Sequence, residues 1–166
     1  MPHISTARLC LSTISIHDAA FYLQLLNEPS WHQFIGDRGI RTLEDAQTAI
    51  INGPVDMQNR LGFSLYIVKL KDSATPIGLC GLLKRDYLED ADLGYAFLPQ
   101  YWGQGFAFEA ATGVVKYAKE VLNMPRLLAT TDLNNQTSMQ LLNKLNFKLI
   151  KTLSLHKELK LFALEL

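Results

Sequence analysis

The residues of this chain best suited to chemistry form one short run, Gln100-Tyr101-Trp102-Gly103-Gln104-Gly105-Phe106-Ala107. Gly103 and Gly105 let backbone come close to a ligand with no side chain between them, and a helix opening just after them would present free amides and the positive end of its dipole. Phosphoryl oxygens are the natural guests of such a cradle. No Gly-Lys-Ser or Gly-Lys-Thr follows, so the loop is not a nucleotide-triphosphate P-loop, and the glycine pattern is incomplete for a dinucleotide fold. A tight turn with no ligand has the same composition, and the run alone does not separate the two readings. Elsewhere, His3, His17, His32 and His156 show no close metal spacing, and two cysteines, Cys10 and Cys80, are too few for a disulfide scaffold or a cysteine-built metal site. No metal is expected.

The loop needs a strand before it and a helix after it, and the pattern supplies both. Residues 91–98 form a strand that stops at Pro99, which lacks an amide hydrogen and restricts its predecessor. From 107 to 122, Ala107, Ala110, Ala111, Val114, Ala118, Val121 and Leu122 share one helical face, with Lys116, Lys119 and Glu120 elsewhere. A strand at 127–131 then implies a right-handed parallel crossover. Asn134 to Thr137 cap a short helix carrying Met139, Leu141, Leu142 and Leu145, and strands at 147–155 and 159–166 close the chain. Upstream, alternation over 8–12 predicts a first strand. Asp18 caps a helix to Leu26, 27–30 interrupt it, and Thr42 with Asp45 caps another helix. A hairpin follows, from strands beginning at Gly62 and Ile77.

At 166 residues, with no linker or repeat, one domain over 1–166 is expected. The 48% hydrophobic content excludes a predominantly disordered chain. Sixteen basic residues balance sixteen acidic ones, which argues against a nucleic-acid binder. The balance is uneven along the chain: residues 1–98 hold 8 basic and 11 acidic side chains (−3), and 99–166 hold 8 and 5 (+3). An anionic ligand suits the second half better than the first. The N-terminal residues show no leader pattern and no apolar run is long enough to span a membrane, so a soluble, cytoplasmic monomer or homodimer without membrane contact is expected.

Taken together, these segments resemble the GNAT superfamily of acyl-CoA-dependent N-acyltransferases, particularly the bacterial branch acting on N-terminal amines of ribosomal proteins. Gln100-x-x-Gly103-x-Gly105 looks like its pyrophosphate loop, and Trp102 to Ala110 like a longer branch signature. Asp92-Leu93-Gly94-Tyr95 resembles the preceding strand, Arg8-Leu9-Cys10-Leu11 the opening one, and Asn135 to Ser138 followed by Leu141 to Phe147 the late helix. The resemblance covers nearly the whole chain. It implies a mixed α/β (α+β) single-domain GNAT-like fold, with a splayed, mostly antiparallel central sheet flanked by helices.

It further implies acetyl transfer from acetyl-CoA to a primary amine by direct attack in a ternary complex. A peptide or protein N-terminus is the first acceptor, with small amines and polyamines, or a non-catalytic CoA-binding sensor or structural partner, or a nucleotide-binding module, as the alternatives. The −3 first half would help form an amine-accepting side, and Phe97 and Leu98 would supply the edge beside pantetheine. Gly103, Gly105, Phe106 and Ala107 would hold the pyrophosphate, with Gln100 and Gln104 shaping the loop. Asn135 would contact the pantetheine region and Lys144 the nucleotide phosphates, although Asn135 also suits a helix cap and Lys144 a solvated cation. Asp92 is the preferred base or amine-orienting residue, in competition with Asp86, Glu89 and Asp90, and a solvent-facing carboxylate is its bland alternative. Strand alternation sets Asp92, Gly94 and Ala96 opposite Leu93, Tyr95 and Phe97. Many relatives carry a tyrosine as proton donor where this chain has Leu142; Ser138 is the local replacement, or else it stabilises the helix start. Tyr95, Tyr101, Trp102, Phe106 and Phe108 are divided between an acceptor pocket and the core. Asn146 stands where relatives have glycine and suits a left-handed helix end.

Overall fold

The computed structural model describes residues 3–166. Eight strands form one sheet in the order β1-β2-β3-β4-β5-β6-β8-β7: β1 His3–Ser5, β2 Leu9–Thr13, β3 Leu65–Leu70, β4 Pro76–Leu83, β5 Asp92–Phe97, β6 Arg126–Asp132, β7 Lys148–Ser154 and β8 Glu158–Glu165. Every neighbouring pair is antiparallel except β5 and β6. Those two meet in register only at Asp92 and Leu128 and separate beyond that point. The sheet is therefore split into a V whose closed end is Asp92.

Helices cover both faces because the strands alternate. Tyr66, Val68, Cys80, Leu82, Leu93 and Phe97 pack with Ala110, Ala111, Val114 and Ala118 of α5, Phe106–Glu120, in the larger core. Ile67 and Leu79 turn the other way, into a second core with α1, Ala19–Leu26, and α3, Leu43–Ile50. Ala96 packs against this second core while Tyr95 packs against the first, so the two sides of β5 face different helical layers. Alanines along α5, together with Gly113, bring the helix close to the sheet edge: a Cβ at Gly113 would lie 3.1 Å from methyls of Ile4 and Thr6.

Several elements differ from the sequence expectation, each for a local reason. Strand β1 was not expected; it pairs with β2 as a short hairpin. Asp18 does not cap α1. Its carboxylate accepts the Ser15 amide at 2.9 Å, completing a capping box around a 3₁₀ turn, Ile16–Asp18. The interruption at 27–30 is shorter than the pattern suggests, because Pro29 is well suited to a first helical position and opens α2, Pro29–Phe34. After α3 the chain continues through a wider π turn, Ile51–Val55, into α4, Asp56–Leu61. Pro54 in that turn has no amide to donate, which disfavours a regular α-helical path. Strand β3 begins at Leu65, three residues after Gly62 ends α4 in the left-handed region. The final helix, α6, Gln136–Lys144, ends as expected with Asn146 at φ +71°, and Phe147 is buried immediately after it. Among the described residues no helix is long and apolar enough to cross a membrane.

Candidate functional site

A cleft of about 1020 Å³ fills the open V. One wall is the loop after β5 with the starts of α5 and α6; the other is α1, α2 and the π turn. Its lining joins Asp92, Phe97, Gly103, Gly105, Phe106, Ala107, Asn135, Ser138 and Lys144, which lie up to 52 positions apart in the chain.

The loop wall offers backbone. Gly103 and Gly105 hold φ of +72° and +81°, the region that disfavours any Cβ, and a Cβ at Gly103 would meet only open space. Gly105 is the residue capping α5, and it has no side chain to satisfy the helix's first donors. The amides of Phe106, Ala107 and Phe108 thus have no partner among the described residues. Free donors at the positive end of a fifteen-residue helix attract oxyanions. Gln104 braces this loop, its Nε2 donating to the Gln100 carbonyl at 3.0 Å. Trp102 braces it from the side, with its indole Nε1 donating to the Phe97 carbonyl at 2.9 Å. Lys144 extends the positive wall, its ammonium 4.7 Å from the centroid of Phe108.

Three of the residues singled out from sequence stand off the cleft wall. Leu98 is buried in the second core, and Gln100 lines a separate, smaller hollow near α1. Gln104 is exposed and bonds within its own loop.

Asn135 caps α6, its Oδ1 accepting the Ser138 amide at 3.2 Å. It also lines the cleft, so the cap leaves it beside the ligand space. Ser138 follows one turn on, and its Oγ lies 2.6 Å from the Tyr95 hydroxyl, which also lies 3.2 Å from the Ser138 carbonyl. Burial pushes the Tyr95 phenol well above its usual value, outweighing the Ser138 hydrogen bond, so it stays protonated. The pair spans the V from β5 to α6. Leu142, where many relatives carry a tyrosine, is fully buried and offers no hydroxyl.

Asp92 lies at the closed end of the V, 1% exposed. The solvent-facing alternative therefore fails for this carboxylate. Its Oδ2 accepts from Arg85 Nε at 3.2 Å, while Oδ1 has no partner. Burial raises the carboxyl to about 6, with Arg85 pulling it partly back. Of its sequence competitors, Glu89 and Asp90 are engaged by Arg126 on the surface and Asp86 does not line the cleft.

The opposite wall offers side chains: Tyr22, Glu28, Trp31, Phe34, Ile35, Arg38 and Met57. Neither the Glu28 carboxylate nor the buried Trp31 indole N–H has a partner among the described residues. The expectation of an acidic acceptor side is corrected here. Of the eleven acidic residues before Pro99 only Glu28 and Asp92 reach the cleft, and Arg38, Lys84 and Arg85 reach it too. Most of the −3 excess lies on other surfaces. No group of three or more His, Cys, Asp or Glu among the described residues is placed to hold a metal.

Arg8 and Glu109 carry no sign of a site role in the sequence, and Tyr95 shows there only as an aromatic for the acceptor pocket or the core. Nothing in the local pattern signals contacts 101 residues apart, such as Arg8 with Glu109.

Comparison with known proteins yields one consistent picture. The acetyltransferase (GNAT) domain family matches residues 8–148. The uncharacterized N-acetyltransferase p20 of Bacillus licheniformis is 28% identical over 150 residues, covering 89% of this chain and 83% of that protein. Among solved structures, an acetyltransferase from Agrobacterium tumefaciens superposes with a TM-score of 0.84 at 21% identity, over 100% of this chain and 95% of that one. RimL, a ribosomal L7/L12 α-N-protein acetyltransferase in complex with coenzyme A, superposes with a TM-score of 0.86 at 15% identity, over 99% and 98% of the two chains. At those identities the structural likenesses establish the fold.

Proposed function

Because the chain belongs to the GNAT acetyltransferase family, matched over residues 8–148, we propose that it transfers an acetyl group from acetyl-CoA to a primary amine, with the N-terminal amine of a peptide or protein as first acceptor. One observation carries this reading: a single cleft joins the free-amide loop, the Tyr95–Ser138 pair and the buried Asp92. The loop fits a phosphate-bearing donor, since an open left-handed Gly103 and unpartnered amides at Phe106, Ala107 and Phe108 ask for an oxyanion. Lys144 adds positive charge on the same side, and Asn135 lines the same cleft at the start of α6. When bound, acetyl-CoA supplies an activated acyl group and a sulfur leaving group.

Ser138 and Tyr95 serve the sulfur side. The protonated Tyr95 hydroxyl lies 2.6 Å from Ser138 Oγ, where either hydroxyl can donate; with Tyr95 as donor, the serine is polarised and its own hydrogen is left for the cleft. A serine so held stabilises a developing thiolate by hydrogen bonding, the part a tyrosine at the Leu142 position plays in many relatives.

Asp92 serves the amine side. A protonated amine has no lone pair to attack with, so the acceptor must lose a proton on the enzyme. N-terminal amines titrate near 7.7–8.0 and lysine side chains near 10.4, and the first lies within about two units of a carboxylate at about 6. The unpartnered Oδ1 takes or orients that proton, while Arg85 keeps the carboxylate ionised at neutral pH. This difference favours an N-terminal amine over a lysine side chain. A polyamine has no such advantage.

The test incubates the protein with acetyl-CoA and a panel of N-terminally free peptides, N-terminally blocked lysine peptides and polyamines, and reads products by mass. Acetylation of the free N-termini is the expected result, with turnover reduced in Ser138→Ala and Tyr95→Phe at unchanged CoA affinity. Tight CoA binding with no product from any amine would overturn the enzyme reading in favour of a CoA-binding sensor, and faster transfer to blocked lysine peptides would overturn the acceptor choice.

A further inference from the structure

The hairpin of β1 and β2 ends beside the amide loop, and its turn reaches the first turn of α5. Glu109 there is held by three donors: the Thr6 hydroxyl at 2.6 Å, the Arg8 amide at 2.7 Å and Arg8 Nε at 2.7 Å. The rest of the Arg8 guanidinium lies along the loop. Its Nη1 donates to the Gln104 carbonyl at 3.0 Å, and its central carbon stacks 4.2 Å from the centroid of Phe106. Its Nη2 lies 3.3 Å from the point a Cβ on Gly105 would occupy and has no partner among the described residues. Position 105 is thus suited to glycine by a φ of +81°, and a Cβ there would also press on the arginine behind it.

This arrangement poses an electrostatic problem. Glu109 is only 17% exposed and sits at the same positive helix end that must attract phosphate. Burial raises its carboxyl, but the bonds from Thr6 and Arg8 outweigh that and hold it below its usual value. It is therefore ionised at any working pH. Alone, it would compete for the helix dipole and repel a second anion at the same helix end.

We propose that Arg8 is a donor-binding residue of this enzyme: it is the counter-charge that keeps the α5 N-terminus attractive to the phosphates of acyl-CoA, while its bond to the Gln104 carbonyl holds the loop in its open left-handed form. The inference rests on the acyl-CoA reading above. It differs from a purely mechanical strap, because the harm done by losing Arg8 comes from the charge left on Glu109.

The experiment measures affinity for CoA by calorimetry and for S-acetylpantetheine, which lacks the phosphates, by ligand-observed NMR titration. It compares the wild type with Arg8→Met, Glu109→Gln and the double variant, each checked for folding by thermal melt. Arg8→Met is expected to weaken CoA about fivefold, in line with a charge at a helix terminus that is partly exposed, and to leave S-acetylpantetheine unchanged. Adding Glu109→Gln to that background is expected to restore most of the loss. Equal weakening of both ligands, no weakening of either, or a double variant as poor as Arg8→Met would overturn the counter-charge role. A wild type that binds neither ligand would instead overturn the acyl-CoA reading beneath it.

Discussion

The two walls of the cleft use different parts of the chain. The wall after β5 presents main chain: left-handed glycines, amides that no side chain caps, and a helix dipole behind them. The wall built by α1, α2 and the π turn presents side chains, among them Glu28, Trp31, Phe34 and Arg38. A main-chain site is indifferent to most substitutions and intolerant of any that move the backbone, whereas a side-chain site is remade one residue at a time. On the proposed function, the first is accordingly the donor wall, suited to one invariant chemical handle, the phosphates, and the second the acceptor wall, suited to whatever amine the protein has been shaped for. Asp92 belongs to neither wall, since it sits where β5 and β6 last touch and the two sides meet.

That position makes Asp92 the most damaging residue to change. Asp92→Asn is expected to lower kcat by about 100-fold, the lower end of what a general base contributes, with CoA affinity unaltered. In the wild type kcat/KM should fall as pH drops through about 6, where the buried carboxyl takes up its proton, and the variant should lack that limb. Stability carries the same signature with a definite sign. The carboxyl titrates at 3.8 when unfolded and at about 6 when folded, so between those values the folded protein binds the extra proton. Stability must then decrease as pH rises through that window and level off above it, and Asp92→Asn should flatten this contribution. A variant that keeps the acid limb would remove Asp92 from the chemistry.

Gly103→Val tests the donor wall. A β-branched residue at φ +72° carries a backbone cost of about 1–2 kcal/mol, and its methyls would enter the open space that the cradle requires. With the empty loop relaxing out of the left-handed region, that cost is met on binding and CoA affinity is expected to fall by about tenfold, while an acceptor peptide titrated by itself binds as before. Equal loss of both ligands would mean that the walls are not independent.

How much of this was readable beforehand divides along the same line. The loop, the helix behind it, the parallel crossover and the left-handed Asn146 are set by residues close in sequence, through glycine freedom, proline's missing amide and helical periodicity, and all were legible. The alternation of β5 also placed Asp92 and Ala96 on one side and Tyr95 on the other. What was not legible depends on distant pairs. Arg8 finds Glu109, Tyr95 finds Ser138 43 positions on, and Lys157 on the β7–β8 turn donates to the Phe34 carbonyl of α2 at 3.1 Å across 123 residues. Burial of Asp92 belongs to the same class, because a carboxylate after a charged turn reads as solvated until the sheet closes around it. Net charge by halves misled for the opposite reason: most charged side chains before Pro99 point away from the cleft.

The smallest effect expected is also the one that bears on the acceptor. Glu28 precedes α2 with extended backbone and no side-chain bond to the helix, so its carboxylate is left to face the cleft. An amine arrives mostly as its cation, and a partly buried carboxylate on the approach favours that cation before Asp92 sees it. Glu28→Gln keeps the shape and removes the charge. The KM for the amine should rise about threefold, the size of a partly solvated ion pair, and kcat and CoA affinity should hold steady. The wild-type KM should also climb with added salt and the variant's much less, because only the charged wall has an attraction to screen. A change in CoA affinity instead would place Glu28 on the donor side and undo the division between a wall of main chain and a wall of side chains.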